Sequence, residues 1–139
     1  MTNRLIALAG PLLLMACQAV PAPAPTPGVA CGITGASDWT AWVNAMPGPN
    51  ARPTLIAAGK VIVPTGGWRF EWRDMRVMES YPVQVVAELE AIPPAGAATQ
   101  AVTTHDIRGE WPMSPPVGAF TIRCGDMVLA RVSPVETAH

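Results

Sequence analysis

Phe120-Thr121-Ile122-Arg123-Cys124-Gly125-Asp126-Met127-Val128-Leu129-Ala130-Arg131-Val132 is the stretch that decides the fold. Successive side chains of a strand point to opposite faces, so Phe120, Ile122 and Cys124 share one side. Gly125-Asp126 then offers a two-residue turn of the primed type, whose positive φ glycine adopts without steric penalty. Met127 to Val132 form the return strand, and the unit reads as a hairpin. The sulfur of Cys124 is expected to point inward with Phe120 and Ile122.

Moving outward from this hairpin, the same period of two recurs. Thr54 to Val63 is apolar on both faces, as a central strand is. Trp68, Phe70 and Trp72 alternate with Arg69, Glu71 and Arg73, the pattern of a half-buried strand. Beyond Asp74 the apolar parity passes to Met75 and Val77, which predicts a bulge near Arg73–Asp74. Val83, Val85, Ala87, Leu89 and Ala91 alternate with Gln84, Glu88 and Glu90, and Pro93-Pro94 closes that strand. Between Ala101 and Trp111, one side carries Thr103, His105, Ile107 and Trp111; the other carries Thr104, Asp106, Arg108 and Glu110.

One segment departs from this period. Trp39, Trp42, Val43 and Met46 fall at i, i+3, i+4 and i+7, the spacing of one helix face. Ser37 or Asp38 can cap it, and Pro47-Gly48-Pro49-Asn50 ends it. Six or seven strands and one short N-terminal helix predict a mainly β domain, an antiparallel sandwich or a partly open barrel. No internal repeat is present.

The first residues follow a different logic. Met1-Thr2-Asn3-Arg4 carries one basic side chain, and Leu5 to Ala16 then runs twelve residues without a charge. A membrane-spanning helix needs roughly 20; twelve fits a secretory leader. Leu14-Met15-Ala16-Cys17 resembles the lipobox of bacterial lipoproteins. The resemblance implies a diacylglyceryl group on the Cys17 thiol, cleavage before that residue and an acylated new terminus. It also implies a signal peptide over 1–16. Gln18 stands where the family's inner-membrane proteins carry Asp, so the expected address is the outer membrane, facing the periplasm. Two or three acyl chains make a firm anchor, since each buried CH₂ contributes about 0.8 kcal/mol.

Three cysteines are present, Cys17, Cys31 and Cys124. With lipid on Cys17, two remain, and an oxidising compartment would pair Cys31 with Cys124. Two free thiols or a metal pair are the alternatives, and the chain holds no further cysteine and only two histidines to complete a zinc site. Residues 17–30 form a lipidated linker with proline at 21, 23, 25 and 27, which favours extended polyproline II. At about 3.1 Å per residue it would hold a domain some 30–40 Å from the bilayer. The β domain is expected over 31–133 and a C-terminal tail over 134–139.

Composition bounds the partners. Half of the 139 residues are apolar, 14% are charged, and there are 16 prolines and 12 glycines. This is too hydrophobic for a disordered chain and too rich in turn-formers for a helical bundle. The nine basic side chains fall to eight when Arg4 leaves with the leader, against ten acidic, a formal −2. That balance provides no overall attraction for nucleic acid or an anionic lipid surface.

The chemistry-bearing residues form no reactive constellation. His105 and Asp106 are strand neighbours and point to opposite faces, and His139 is the last residue. Ser37 serves as a cap, Ser80, Ser114 and Ser133 lie by prolines or turns, and none sits in Gly-x-Ser-x-Gly. Glu88 and Glu90 share a solvated strand face. Gly66-Gly67 lacks the lysine and hydroxyl of a phosphate-cradling loop. The sequence therefore assigns no catalytic residue, no cofactor and no metal ligand.

Pro64-Thr65-Gly66-Gly67-Trp68-Arg69-Phe70-Glu71-Trp72 loosely resembles the Pro-Thr-Thr-Gly-Tyr-x-Trp loop of chagasin-type cysteine-protease inhibitors. There is one residue too many before the final Trp, and Val63 stands in place of the family's Asn. The resemblance implies a β-sandwich whose Thr65, Gly66, Gly67 and Trp68 form an interaction loop. Three readings follow: a non-catalytic envelope lipoprotein that binds another envelope protein or a cell-wall component, a protease inhibitor acting through 64–72, and a hydrolase or metal protein centred on His105. Assay of the full chain against papain-like proteases checks the second: inhibition at micromolar protein would sustain it, and none would remove it.

Overall fold

The computed structural model describes residues 30–139 and contains eight strands and no helix among them. In chain order these are β1 (Gly35–Asn44), β2 (Thr54–Val63), β3 (Arg69–Met78), β4 (Val83–Ile92), β5 (Thr103–Pro112), β6 (Val117–Cys124), β7 (Met127–Val132) and β8 (Glu136–Ala138). They form two four-stranded sheets, ordered β5-β2-β1-β8 and β3-β4-β6-β7. No ladder joins the two sheets, so they do not close into a barrel; the arrangement is sandwich-like. The expected leader, Cys17 and most of the proline-rich linker lie outside the described residues.

Both sheets are mixed, which corrects the expected antiparallel pattern. The β1–β2, β2–β5, β3–β4 and β6–β7 pairs are antiparallel, while β4–β6 and β1–β8 run parallel. The reason lies in the connections. The chain leaves β4 for β5 in the opposite sheet and then returns, so β6 comes back beside β4 running in the same direction. Residues 134–139, expected as a tail, likewise hold β8. Val135 is buried just before it, and Trp42, Val43 and Asn44 pair with Glu136, Thr137 and Ala138.

The helix expected around residues 37–46 is instead strand β1. Its even spacing of tryptophans conceals a bulge: the β1–β2 register shifts between Ser37 and Thr40, where Asp38 adopts φ 57°. After the bulge the period is two. Ala41 and Val43 are buried in the core, Trp42 faces the other way, and Met46 lies past the strand end, 56% exposed. Trp, Thr and Val suit a pleated surface, and β1 pairs along its length with β2 and over its last three residues with β8. Those tertiary ladders outweigh a single helical stripe.

Elsewhere the pleat is as the sequence predicts. The β3–β4 register shifts between Trp72 and Met75, the expected bulge. In β2, Leu55, Ala57, Val61 and Val63 face the core, and Ile56 on the other face is also buried, as befits a central strand. Gly125 turns from β6 into β7 with φ 56°. Facing them from the second sheet are Val85, Ala87, Leu89, Phe120 and Ile122, and no charged or polar side chain is buried among these residues. Full burial of each Leu, Ile or Phe contributes about 1.5–3 kcal/mol.

Cys31 and Cys124 form a disulfide with Cα atoms 5.4 Å apart, tying the segment before β1 to the end of β6 across 93 positions. On the chain-entropy account a closed loop of that length contributes about 4–5 kcal/mol, equivalent to roughly two buried core side chains. The Cys31→Ser/Cys124→Ser double variant should lose stability of that order in urea unfolding. An unchanged midpoint would show that the bridge contributes nothing.

Candidate functional site

The edge strands β3 and β5 flank a shared groove. Its walls are Trp68 to Trp72 of the β2–β3 connection and β3, and Asp106 to Arg108 of β5, enclosing about 480 Å³. Alternation along β3 sends Phe70 and Trp72 inward and leaves Arg69, Glu71 and Arg73 outside. Trp72 Nε1 donates to the backbone oxygen of Arg108 at 2.9 Å, linking the two sheets at their rim. Around it runs a chain of aromatic contacts. Trp39 meets Trp72 edge-on at 6.4 Å, Trp72 meets Trp111 edge-on at 4.9 Å, and Trp111 tilts against Phe120 at 5.4 Å. Such pairs contribute about 0.5–1.5 kcal/mol each beyond area burial.

Two glycines make room for these indoles. A Cβ on Gly59 would lie 2.2 Å from Trp39 Cδ2, and one on Gly109 would lie 2.3 Å from Trp111 Cη2 and 2.8 Å from Trp72 Cε2. The indoles therefore approach bare backbone closely, and residues 59 and 109 admit no side chain without repacking.

Outside this layer the charges alternate. Arg73 bonds to Glu90 and lies 3.4 Å from Glu71, and the hydrogen bond and charge of Glu90 raise its pKa above the usual arginine value. Arg108 pairs with Glu110 at 2.8 Å and stands 5.8 Å over the ring of Trp42. Lys60 pairs with Asp38 at 3.2 Å. All are largely exposed, so each contributes at most about 1 kcal/mol. Their arrangement matters more than their strength. On the outer face of β1, β2 and β5, Asp38, Lys60, Asp106 and Arg108 surround a depression of about 350 Å³ whose floor includes Ala58 and Gly59. Two acids and two bases around small residues can meet an extended polar segment that carries both signs of charge. The sequence hides this depression because its residues come from three strands.

The sequence-predicted residues fall in separate places. Thr65 Oγ1 accepts a 3.0 Å hydrogen bond from Trp68 Nε1, Gly66 N donates to Thr99 O at 3.0 Å, and Gly67 takes φ 81°. Trp68 packs on the core, and a Cβ on Gly32 would lie 2.0 Å from its Cη2. The polar groups of Thr65 and Trp68 are thus engaged with each other. His105 faces inward, its ring 5.1 Å from Phe70, and its Nε2 is buried without a hydrogen-bond partner, as is Trp39 Nε1. Asp106 points to the opposite, exposed face. Ser80 Oγ donates to Pro82 O and Ser133 Oγ to Gly118 O. Ser37 and Ser114 are exposed, and His139 is the exposed last residue. Glu90 is engaged by Arg73, whereas Glu88 lines a neighbouring depression with Cys124 and Gly125. Among the described residues, no three His, Cys, Asp or Glu side chains stand together as metal ligands would.

Comparison with known proteins finds no matching family, curated protein or solved structure.

Gly59→Ala should destabilise the fold by about 1–3 kcal/mol through overpacking against Trp39. In a Trp39→Ala background the same substitution should cost close to nothing, and a double-mutant cycle measures that coupling. An additive cycle would show that the indole does not occupy the space above residue 59.

Proposed function

We propose that this chain is a lipoprotein of the bacterial envelope, tethered through lipid on Cys17 to the outer membrane on its periplasmic side. Its β domain then serves as a non-catalytic binding or structural module. The observation that carries this reading is the Cys31–Cys124 bridge. It accounts for two of the three cysteines and leaves the one inside Leu14-Met15-Ala16-Cys17 available for acylation. A disulfide also suits an oxidising compartment, where exported lipoproteins reside.

Binding is favoured over catalysis by the character of the surfaces. The inward imidazole of His105 packs on Phe70, and the four serine hydroxyls lie on exposed turns, strand ends or beside prolines. General acid–base or nucleophilic chemistry needs such groups within hydrogen-bond reach of one another. The depression around Ala58 and Gly59, with both signs of charge on its rim, suits recognition of an envelope protein or a cell-wall component instead.

Intact-mass measurement on the protein extracted from membranes tests the anchor. The mature chain should begin at Cys17 and carry the added mass of diacylglyceryl and acyl groups, and Cys17→Ser should abolish both processing and lipid. An unmodified thiol at residue 17, or a mature terminus downstream of it, would overturn the assignment.

A further inference from the structure

A formal charge near zero averages over a surface that is not neutral everywhere. On the outer face of the β3-β4-β6-β7 sheet, the pairing register sets Arg76, Val86, Thr121 and Arg131 in one row across all four strands. Arg123 stands in the next row, between Glu88 and Val128. Together with Met78 these arginines line a depression of about 380 Å³. Arg131 is held by neutral acceptors, donating to Thr121 Oγ1 and Gln84 Oε1 at 3.3 Å each. Arg123 Nη2 donates to Gly125 O at 3.4 Å, and its buried Nε has no partner among the described residues.

No carboxylate among the described residues lies within 4 Å of these three guanidinium groups. Residues 1–29 contain no Asp or Glu that could supply one. Glu88 is the register neighbour of Arg123, yet it lines the adjoining depression with Arg73 and Glu90. Beside this unpaired positive charge, Met78 and Val128 are 54% and 56% exposed. A cluster of guanidinium groups matches phosphate oxygens in geometry and charge, and neighbouring apolar side chains match the methylenes next to a headgroup. No aromatic side chain lines this depression; Tyr81, 88% exposed, stands in the adjoining one with Gln84 and Arg131, and an amphipathic tyrosine beside arginines suits the boundary between headgroups and water.

The described chain also begins at this sheet. Ala30 lines the same depression as Glu88, Cys124 and Gly125, so the linker from Cys17 reaches the domain beside the end of β6 that carries Arg123. We propose that the outer face of the β3-β4-β6-β7 sheet binds the phosphate headgroup of an anionic phospholipid through Arg76, Arg123 and Arg131, with Met78, Val86 and Val128 against the lipid's methylenes. The domain thereby lies on a bilayer by a chosen face. The direction of delivery rests on the lipid anchor proposed above; the headgroup chemistry does not. Each basic side chain near an anionic surface strengthens binding by about fivefold. Three suffice to orient a domain already tethered, though not to recruit a free one.

The test uses the mature protein extracted from membranes into neutral detergent micelles, titrated with short-chain phosphatidylglycerol and followed by NMR. Shifts should appear at the Nε–H signals of the three arginines and at the Met78 and Val128 methyls. Phosphatidylcholine and inorganic phosphate should leave both sets unmoved. Arg76→Gln and Arg131→Gln should each weaken the response about fivefold while core amide signals stay in place. No response to phosphatidylglycerol, an equal response to phosphatidylcholine, arginine shifts with inorganic phosphate alone, or tighter binding of an acidic peptide would each overturn the proposal. Intact mass of the same sample reports the lipid on Cys17 separately, so loss of the anchor and loss of the headgroup site are distinguishable.

Discussion

The fully buried side chains between the two sheets are all apolar, and the inward His105 makes no hydrogen bond through its buried Nε2, so little that is directional inside the layer fixes how one sheet lies on the other. Apolar area is non-directional, and Val43, Leu55, Val61, Val85, Leu89 and Ile122 could slide past each other with modest loss. What limits the slide is a small set of bonds and steric fits that cross between layers. The Cys31–Cys124 bridge fastens one end. At the β3–β5 rim, Trp72 reaches over to the Arg108 carbonyl, and its ring approaches Gly109 of the facing sheet. A Cβ at residue 109 would lie 2.8 Å from that ring, so the indole fits only where the backbone is bare, and this converts a greasy contact into a defined geometry.

That division explains what could be read in the sequence and what could not. Strands β2 to β7 were legible because each buries one face or both, and burial writes a period of two into the residues. The bulge after Trp72 was legible for the same reason, since the apolar parity changes there. Strand β1 was not. Its bulge at Asp38 inserts an extra residue, and the resulting spacing of Trp39, Trp42 and Val43 imitates a helical stripe. Strand β8 was hidden by its brevity: three residues carry no period, and only the partner β1 reveals them. The parallel pairings were hidden too, because strand order follows from crossings between sheets, which no local pattern records.

Sites behaved in the same way. The disulfide was legible through cysteine counting and the inward parity of Cys124. The placement of His105 away from Asp106 followed from the pleat alone. The depression around Ala58 and the arginine row across β3, β4, β6 and β7 were illegible, since each gathers residues from strands that are distant in sequence. Net charge misled here as well. The β1–β2–β5 face and the β3 rim carry acids and bases paired with each other, and the overall sum conceals that Arg76, Arg123 and Arg131 stand together without a carboxylate partner among the described residues.

The bond from Trp72 to the Arg108 carbonyl has one more implication. An outermost strand ordinarily offers its unsatisfied backbone acceptors to any extended chain that drifts near, the usual route to sheet-by-sheet polymerisation. In β5 one such acceptor is already occupied by an indole from the facing layer, and the bulky ring shields the backbone next to it. A molecule crowded among its own copies thus meets them with a blunted margin rather than an open template.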